Sequence, residues 1–220
     1  MRNLLLIIIA LLAFIFSGCA SFRTDVTDLY KTESSETQKS RVNICFDIYH
    51  YDQSIGADAI PKLLRYPGIN SFNDIFKESL KQLTNIKQYE SFTNLSTDVE
   101  NPNRRKLRDS LISISDYTIK IEILRQKSFA KHFIGSLISF ATLSIIPVGY
   151  TWDYYINISV IDKDFKQIGK YKRSAGVTTW YQALLIFIQA FYVEEKMNED
   201  IYLEMISNIF MEIESGNLLK

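Results

Sequence analysis

Asp116-Tyr117-Thr118-Ile119-Lys120-Ile121-Glu122-Ile123-Leu124 alternates without a break. Tyr117, Ile119, Ile121 and Ile123 share one side, while Asp116, Thr118, Lys120 and Glu122 share the other. Successive side chains of a strand point to opposite faces, so this period of two predicts a strand with one face on a core and one toward water. Two more stretches repeat the pattern. In Val42-Asn43-Ile44-Cys45-Phe46-Asp47-Ile48-Tyr49 the apolar side is Val42, Ile44, Phe46 and Ile48; in residues 151–161 it is Trp152, Tyr154, Ile156, Ile158 and Val160. Asp162-Lys163-Asp164 reads as a turn, and residues 166–174 as a strand returning at hairpin distance.

Helical spacing fills the intervals. Asn70 or Ser71 can cap a helix reaching about Ile86, with Phe72, Ile75, Phe76, Leu80 and Leu83 on one stripe. Lys87 to Phe92 reads as a short strand. Asn101-Pro102 precedes a basic helix over about 103–111, and Asn198 can cap a terminal helix to about Ile213 with Tyr202, Met205, Ile206, Ile209, Phe210 and Ile213 as its stripe. This order predicts an α+β fold: a two-layer domain with a mixed or antiparallel sheet and helices on one face.

The N-terminus has a different character. Met1-Arg2-Asn3 is followed by an unbroken apolar run from Leu4 to Phe16 and then by Ser17-Gly18-Cys19-Ala20. One basic residue, a short apolar stretch and a small-residue region are the three parts of a secretory signal, too short for a spanning helix. Ser17-Gly18-Cys19 resembles the lipobox of bacterial lipoproteins, departing from it at Phe16, where leucine is usual. The resemblance covers about the first 20 residues. It implies that the Cys19 thiol receives a diacylglyceryl group, that residues 1–18 are removed, and that the new amine is acylated. Ala20, where an aspartate would favour inner-membrane retention, implies the outer membrane facing the periplasm.

Residues 19–40 are polar, and such composition buries too little surface to order itself. They read as a lipidated N-terminus and flexible tether, leaving 41–220 as a single α+β domain. The chain holds 25 basic and 25 acidic residues. Without a basic excess or a recognition motif, no nucleic-acid partner is expected. Cys45, with Cys19 committed to lipid, is expected to be a buried thiol in its strand.

Two uncharged apolar segments, 133–149 and 180–193, flank the expected hairpin. Three readings stay open: transmembrane helices, buried core helices, or an apolar tip that touches lipid or a partner protein. For the tip, the candidate contact residues are Leu137, Ile138, Phe140, Ile145, Ile146, Trp180, Leu184, Leu185, Phe187 and Ile188. Tyr150, Trp152, Trp180 and Tyr181 sit at the segment ends, where amphipathic rings suit a membrane interface.

Motifs that carry chemistry are not found. His50 and His132 lack metal-ligand spacing and read as packing or surface residues; there is no G-x-S-x-G and no phosphate loop. Asp47 and Asp52 near His50, and Asp162 with Asp164, read as ordinary acidic positions. Arg104, Arg105, Lys106 and Arg108 read as a solvated helix face, with anionic lipid head groups as the other reading. The expectation is a non-enzymatic cell-envelope lipoprotein without catalytic residues, metal or cofactor. It would be held to the membrane by its N-terminal lipid and would act as an accessory or assembly subunit with a protein partner in the envelope. An envelope small-ligand binder or hydrolase is the alternative.

Overall fold

The computed structural model describes residues 18–31, 40–66, 71–142, 145–182 and 194–220. The described strands are β1 (Gly18–Arg23), β2 (Val42–Ile55), β3 (Lys62–Leu63), β4 (Ile86–Asn94), β5 (Tyr117–Ser128), β6 (Val148–Asp162) and β7 (Gln167–Gln182). The helices are α1 (Phe72–Leu80), α2 (Pro102–Ser113), α3 (Phe129–Ala141) and α4 (Glu194–Ser215), with a 3-10 turn over Ser96–Glu100. The strands make one open mixed sheet in the order β1-β7-β6-β5-β2-β3, and β4 pairs with the first part of β2. β2 runs parallel to β4 and β5; β5, β6, β7 and β1 follow as an antiparallel series.

The alternation read from the sequence defines the core face. Val42, Ile44, Phe46 and Ile48 of β2, Ile119, Ile121 and Ile123 of β5, and Tyr154, Ile156, Ile158 and Val160 of β6 are all buried. α1 and α4 close over them. Phe46, Phe76 and Phe210 meet edge-on or tilted, at 4.9, 5.9 and 6.3 Å between centroids, joining the sheet to both helices. Tyr154 meets Tyr202 in the same way at 5.5 Å. The stripes expected for these helices are the buried ones.

α2 meets the reverse face. Its Arg108 reaches Tyr49, whose side chain points opposite to that of Ile48, and Asn94 of β4. β4 and β5 flank β2 on its two sides, so the crossovers β2-α1-β4 and β4-α2-β5 run in opposite directions. Crossovers of one hand then put their helices on opposite faces.

Several boundaries differ from expectation. α1 stops at Leu80, because the Asn85 carbonyl accepts from the Val42 amide and draws the chain into the sheet at Ile86. α4 is already helical at Glu194, four residues before Asn198. β7 continues from the expected end at Ser174 through Gln182 and so takes in the start of the second apolar segment.

The largest difference is at the N-terminus. Residues 19–31, expected to be free tether, lie on the domain. β1 pairs along β7 from Gly18↔Gln182 to Arg23↔Val177. Thr24 and Thr27 amides donate to the Gly176 and Ser174 carbonyls, and Val26 is buried. The Tyr30 amide and carbonyl both bond the Asn208 side chain of α4. Polar composition argues against self-burial, but an open strand edge offers backbone partners to any sequence. Residues 32–39 of the expected tether, and the signal segment 1–17, lie outside the described residues.

Candidate membrane-facing tip

At one end of the sheet Cys19 of β1, Tyr181 of β7 and Val148 of β6 stand in one row. Neighbouring strands lie about 4.8 Å apart, so Cys19 is about 10 Å from Val148. Strand alternation puts the Cys19, Ser21, Thr179, Tyr181, Tyr150 and Trp152 side chains on the helix-bearing face. The Ser21 and Thr179 hydroxyls are 2.8 Å apart, and Thr179 donates to Glu194 at 3.0 Å. Trp180 lies on the reverse face over Gly149, where an added Cβ would stand 3.2 Å from the indole.

α3 crosses this end. The Ser128 hydroxyl accepts from the Lys131 amide and caps it. Gly135 is the one residue of α3 that is buried, because it presses on the sheet: a Cβ there would stand 2.8 Å from Val148 Cγ1. On either side of Gly135, His132 packs edge-on against Tyr150 and Trp152 at 5.1 and 5.6 Å. A His132 ring nitrogen lies 3.1 Å from the Thr151 carbonyl, and Tyr150 donates to Ser136. A cleft of about 320 Å³ opens here between His132, Ser136, Ser139, Tyr150, Tyr181 and Glu194. Burial, the Glu194 carboxylate and Cys19 all push the Tyr181 hydroxyl pKa up.

The rest of α3 faces outward. Phe133, Ile134, Leu137 and Ile138 recur at helical spacing and are all exposed, and Phe140 is 79% exposed. Phe129 stacks on Phe133 at 6.0 Å, while Ile145 and Ile146 continue the surface toward β6. Both helical readings of the first apolar segment fail. Its helix has 13 residues, about 20 Å at 1.5 Å per residue, against a hydrocarbon core of about 30 Å. Among the described residues no helix is long and apolar enough to cross a membrane. A core helix would bury its apolar stripe, and this one exposes it.

The candidate contact residues divide accordingly. Leu137, Ile138, Phe140, Ile145, Ile146 and Trp180 are exposed at this tip. Leu184, Leu185, Phe187 and Ile188 lie outside the described residues. Phe129 belongs to the surface and was not expected; its spacing of four from Phe133 was the signal. Behind the tip, Arg125 and Lys127 lie at 4.3 and 4.5 Å over the Trp152 ring.

The other singled-out groups serve the fold. Asp47 and His50 point to opposite faces of β2. Asp47 accepts from Tyr49 and Asn94, and Asp52 pairs with Arg125 at 3.2 Å. Burial lowers the His50 pKa to about 4. Asp162 accepts the Asp164 and Lys166 amides and shapes the hairpin turn. Cys45 is fully buried on the reverse face, where burial, Asp47 and Glu90 push its thiol up to about 11. In the basic helix, Arg104 pairs with Asp98 at 2.6 Å and lies 4.7 Å from the Phe92 ring centre; Arg105 and Lys106 are exposed.

No family model and no curated protein matches the sequence. Among solved structures the chain is similar to a PelC dodecamer from Paraburkholderia phytofirmans, with a TM-score of 0.33 and 9% identity over 90% of this chain and 98% of that one. A single-substitution variant of that dodecamer gives 0.31 and 8%, over 90% and 99% of the two chains. Likeness at this level carries no argument about function.

Proposed function

We propose that the chain is a lipid-anchored protein of the bacterial cell envelope, held by Cys19 to the periplasmic face of the outer membrane. There it works without catalysis, as an accessory or assembly subunit for an envelope partner. The observation that carries the reading is the position of Cys19. The cysteine of the lipobox-like Ser17-Gly18-Cys19 is half-buried rather than packed away, at the start of an edge strand. It stands in the row that leads to an exposed apolar helix. An acyl group there enters lipid without unfolding anything, and a broad apolar surface on a folded domain is the usual mark of an interaction site.

The test is Cys19→Ser in the native host, grown with radioactive palmitate. The unaltered protein should take up label and lose residues 1–18. The variant should take up none and keep them. Label retained by the variant refutes the anchor. Mild-detergent extraction with chemical cross-linking then tests the accessory role: a stoichiometric envelope partner is expected, and recovery of the protein by itself counts against it.

A further inference from the structure

We infer that the domain has no slack at its anchor and docks flush on the lipid bilayer, with the outward stripe of α3, residues 145–146 and Trp180 seated at the boundary between head groups and acyl chains. The inference rests on lipidation at Cys19. It goes further in fixing which face meets the membrane and how closely.

Three observations converge. First, Cys19 pairs with Tyr181 and the next residue, Ala20, is fully buried. Once residues 1–18 are removed, no free residue separates the acylated cysteine from the sheet. The domain cannot stand off at the roughly 25 Å that a tether of about 20 residues would allow. Second, the acylated row runs through Tyr181 and Val148 to Gly135 of α3. Val148 is two strand spacings, about 10 Å, from Cys19. With so short a lateral span, a Cys19 held at the bilayer surface keeps α3 beside that surface, within reach of the head-group layer that interfacial helices occupy. Third, the surface delivered there has interfacial chemistry. No charge occurs between Lys131 and Asp153. Phe133, Ile134, Leu137, Ile138, Phe140, Ile145 and Ile146 are exposed. Trp180 and Tyr181 sit at the strand ends on opposite faces, as amphipathic rings do at a membrane boundary. Lys131 in the first turn of α3 and Lys127 behind Trp152 mark where charge resumes, at the level of lipid phosphates.

The experiment uses the mature lipidated protein, purified from membranes and reconstituted into phosphatidylcholine–phosphatidylglycerol vesicles with brominated acyl chains. The chain has two tryptophans, so Trp152→Phe leaves Trp180 as the one reporter. The expected result is quenching of Trp180 by the brominated chains and protection from aqueous iodide. Leu137→Asp with Phe140→Asp, both at exposed positions, should lower the docked-to-undocked ratio by about 10-fold per side chain. Circular dichroism should be unchanged; if α3 unravels in that pair, Ile145→Asp in the following turn is read instead. Quenching by iodide and not by bromine overturns the proposal, because the tip is then in water. Protection from both overturns it as well, because protein then covers the tip. Mass spectrometry of the N-terminal peptide separates the two levels. An acylated peptide with an undocked Trp180 refutes flush docking alone, and a peptide without acyl groups refutes the anchor and the docking together.

Discussion

Gly135 is where α3 meets the sheet, and Gly135→Ala sets two effects of known size against each other. In a helix interior alanine is favoured over glycine by about 1 kcal/mol. Against that, the new Cβ would stand 2.8 Å from Val148 Cγ1 and 3.3 Å from the Tyr150 ring. Carbon atoms pack at about 3.5–4.0 Å, so α3 must retreat by roughly 0.7–1.2 Å, which weakens the dispersion attraction between helix and sheet by about a quarter to a half or somewhat more. Val148 is β-branched and cannot turn aside cheaply. Overpacking of this kind costs about 1–3 kcal/mol, so the expected net change is a loss of about 0–2 kcal/mol in the docking of α3. Val148→Ala alone should cost about 1–2 kcal/mol, but it removes the obstructing methyl. In that background Gly135→Ala should stabilise by about 1 kcal/mol. The cycle therefore predicts a coupling of about 1–3 kcal/mol between the two sites. Urea denaturation of the four proteins, with hydrogen exchange of the α3 amides, measures it. If Gly135→Ala stabilises equally in both backgrounds, the close approach of helix and strand is wrong, and with it the placement of the tip.

Two further predictions address the body of the domain. Arg173 is 4% exposed and donates to Asn208, which holds Tyr30, and to Glu212; Arg173→Met should cost about 2–3 kcal/mol in urea denaturation and raise proteolysis near Tyr30, and a loss below about 0.5 kcal/mol would show that residues 24–31 are held by other contacts. Burial holds the His50 pKa at about 4, below its ordinary 6.5, so the unfolded chain binds the extra proton. The His50 contribution is then full above about pH 6.5 and lost as pH falls toward 4, by up to about 3 kcal/mol. His50→Leu should flatten stability between those values, and an unchanged slope would place the ring in water.

The sheet was legible wherever one face is buried and the other wet. β5 and β6 alternate because each lies in the middle of the sheet with its helices on one side, and a slip of one residue would turn Ile119, Ile121 and Ile123 outward; β2 keeps the alternation of large apolar side chains on its core face although Cys45 and Asp47 are buried on the other. The α1 and α4 stripes were legible for the same reason at helical period. The N-terminal strand was not. Its partner is the backbone of β7, which selects for no composition, so Ser21 and Arg23 read as tether although Ser21 bonds Thr179 and Arg23 pairs with Glu204. The first apolar segment was ambiguous because apolar content cannot tell a core stripe from an exposed one. That was resolved by a glycine: α3 approaches the sheet along Gly135, which leaves its large side chains nowhere to go but outward.

The edge strand and the tip are linked by a constraint that neither has separately. An unpaired β7 would present a long edge open to pairing with other chains. β1 covers that edge over the six positions Gly18 to Arg23 and in doing so fixes Cys19 relative to Tyr181, Val148 and α3. A free tether would let the domain tumble beneath its anchor, and an exposed apolar face would then invite association in any direction. With the lipid proposed for Cys19, covering the edge with that segment turns the same residues into an orientation device. On the proposed anchor, the acyl chains, the aromatic strand ends and the α3 stripe all lie at one end of the sheet. The part of the reverse face where α2 sits, with Arg105 and Lys106 exposed, lies away from that end.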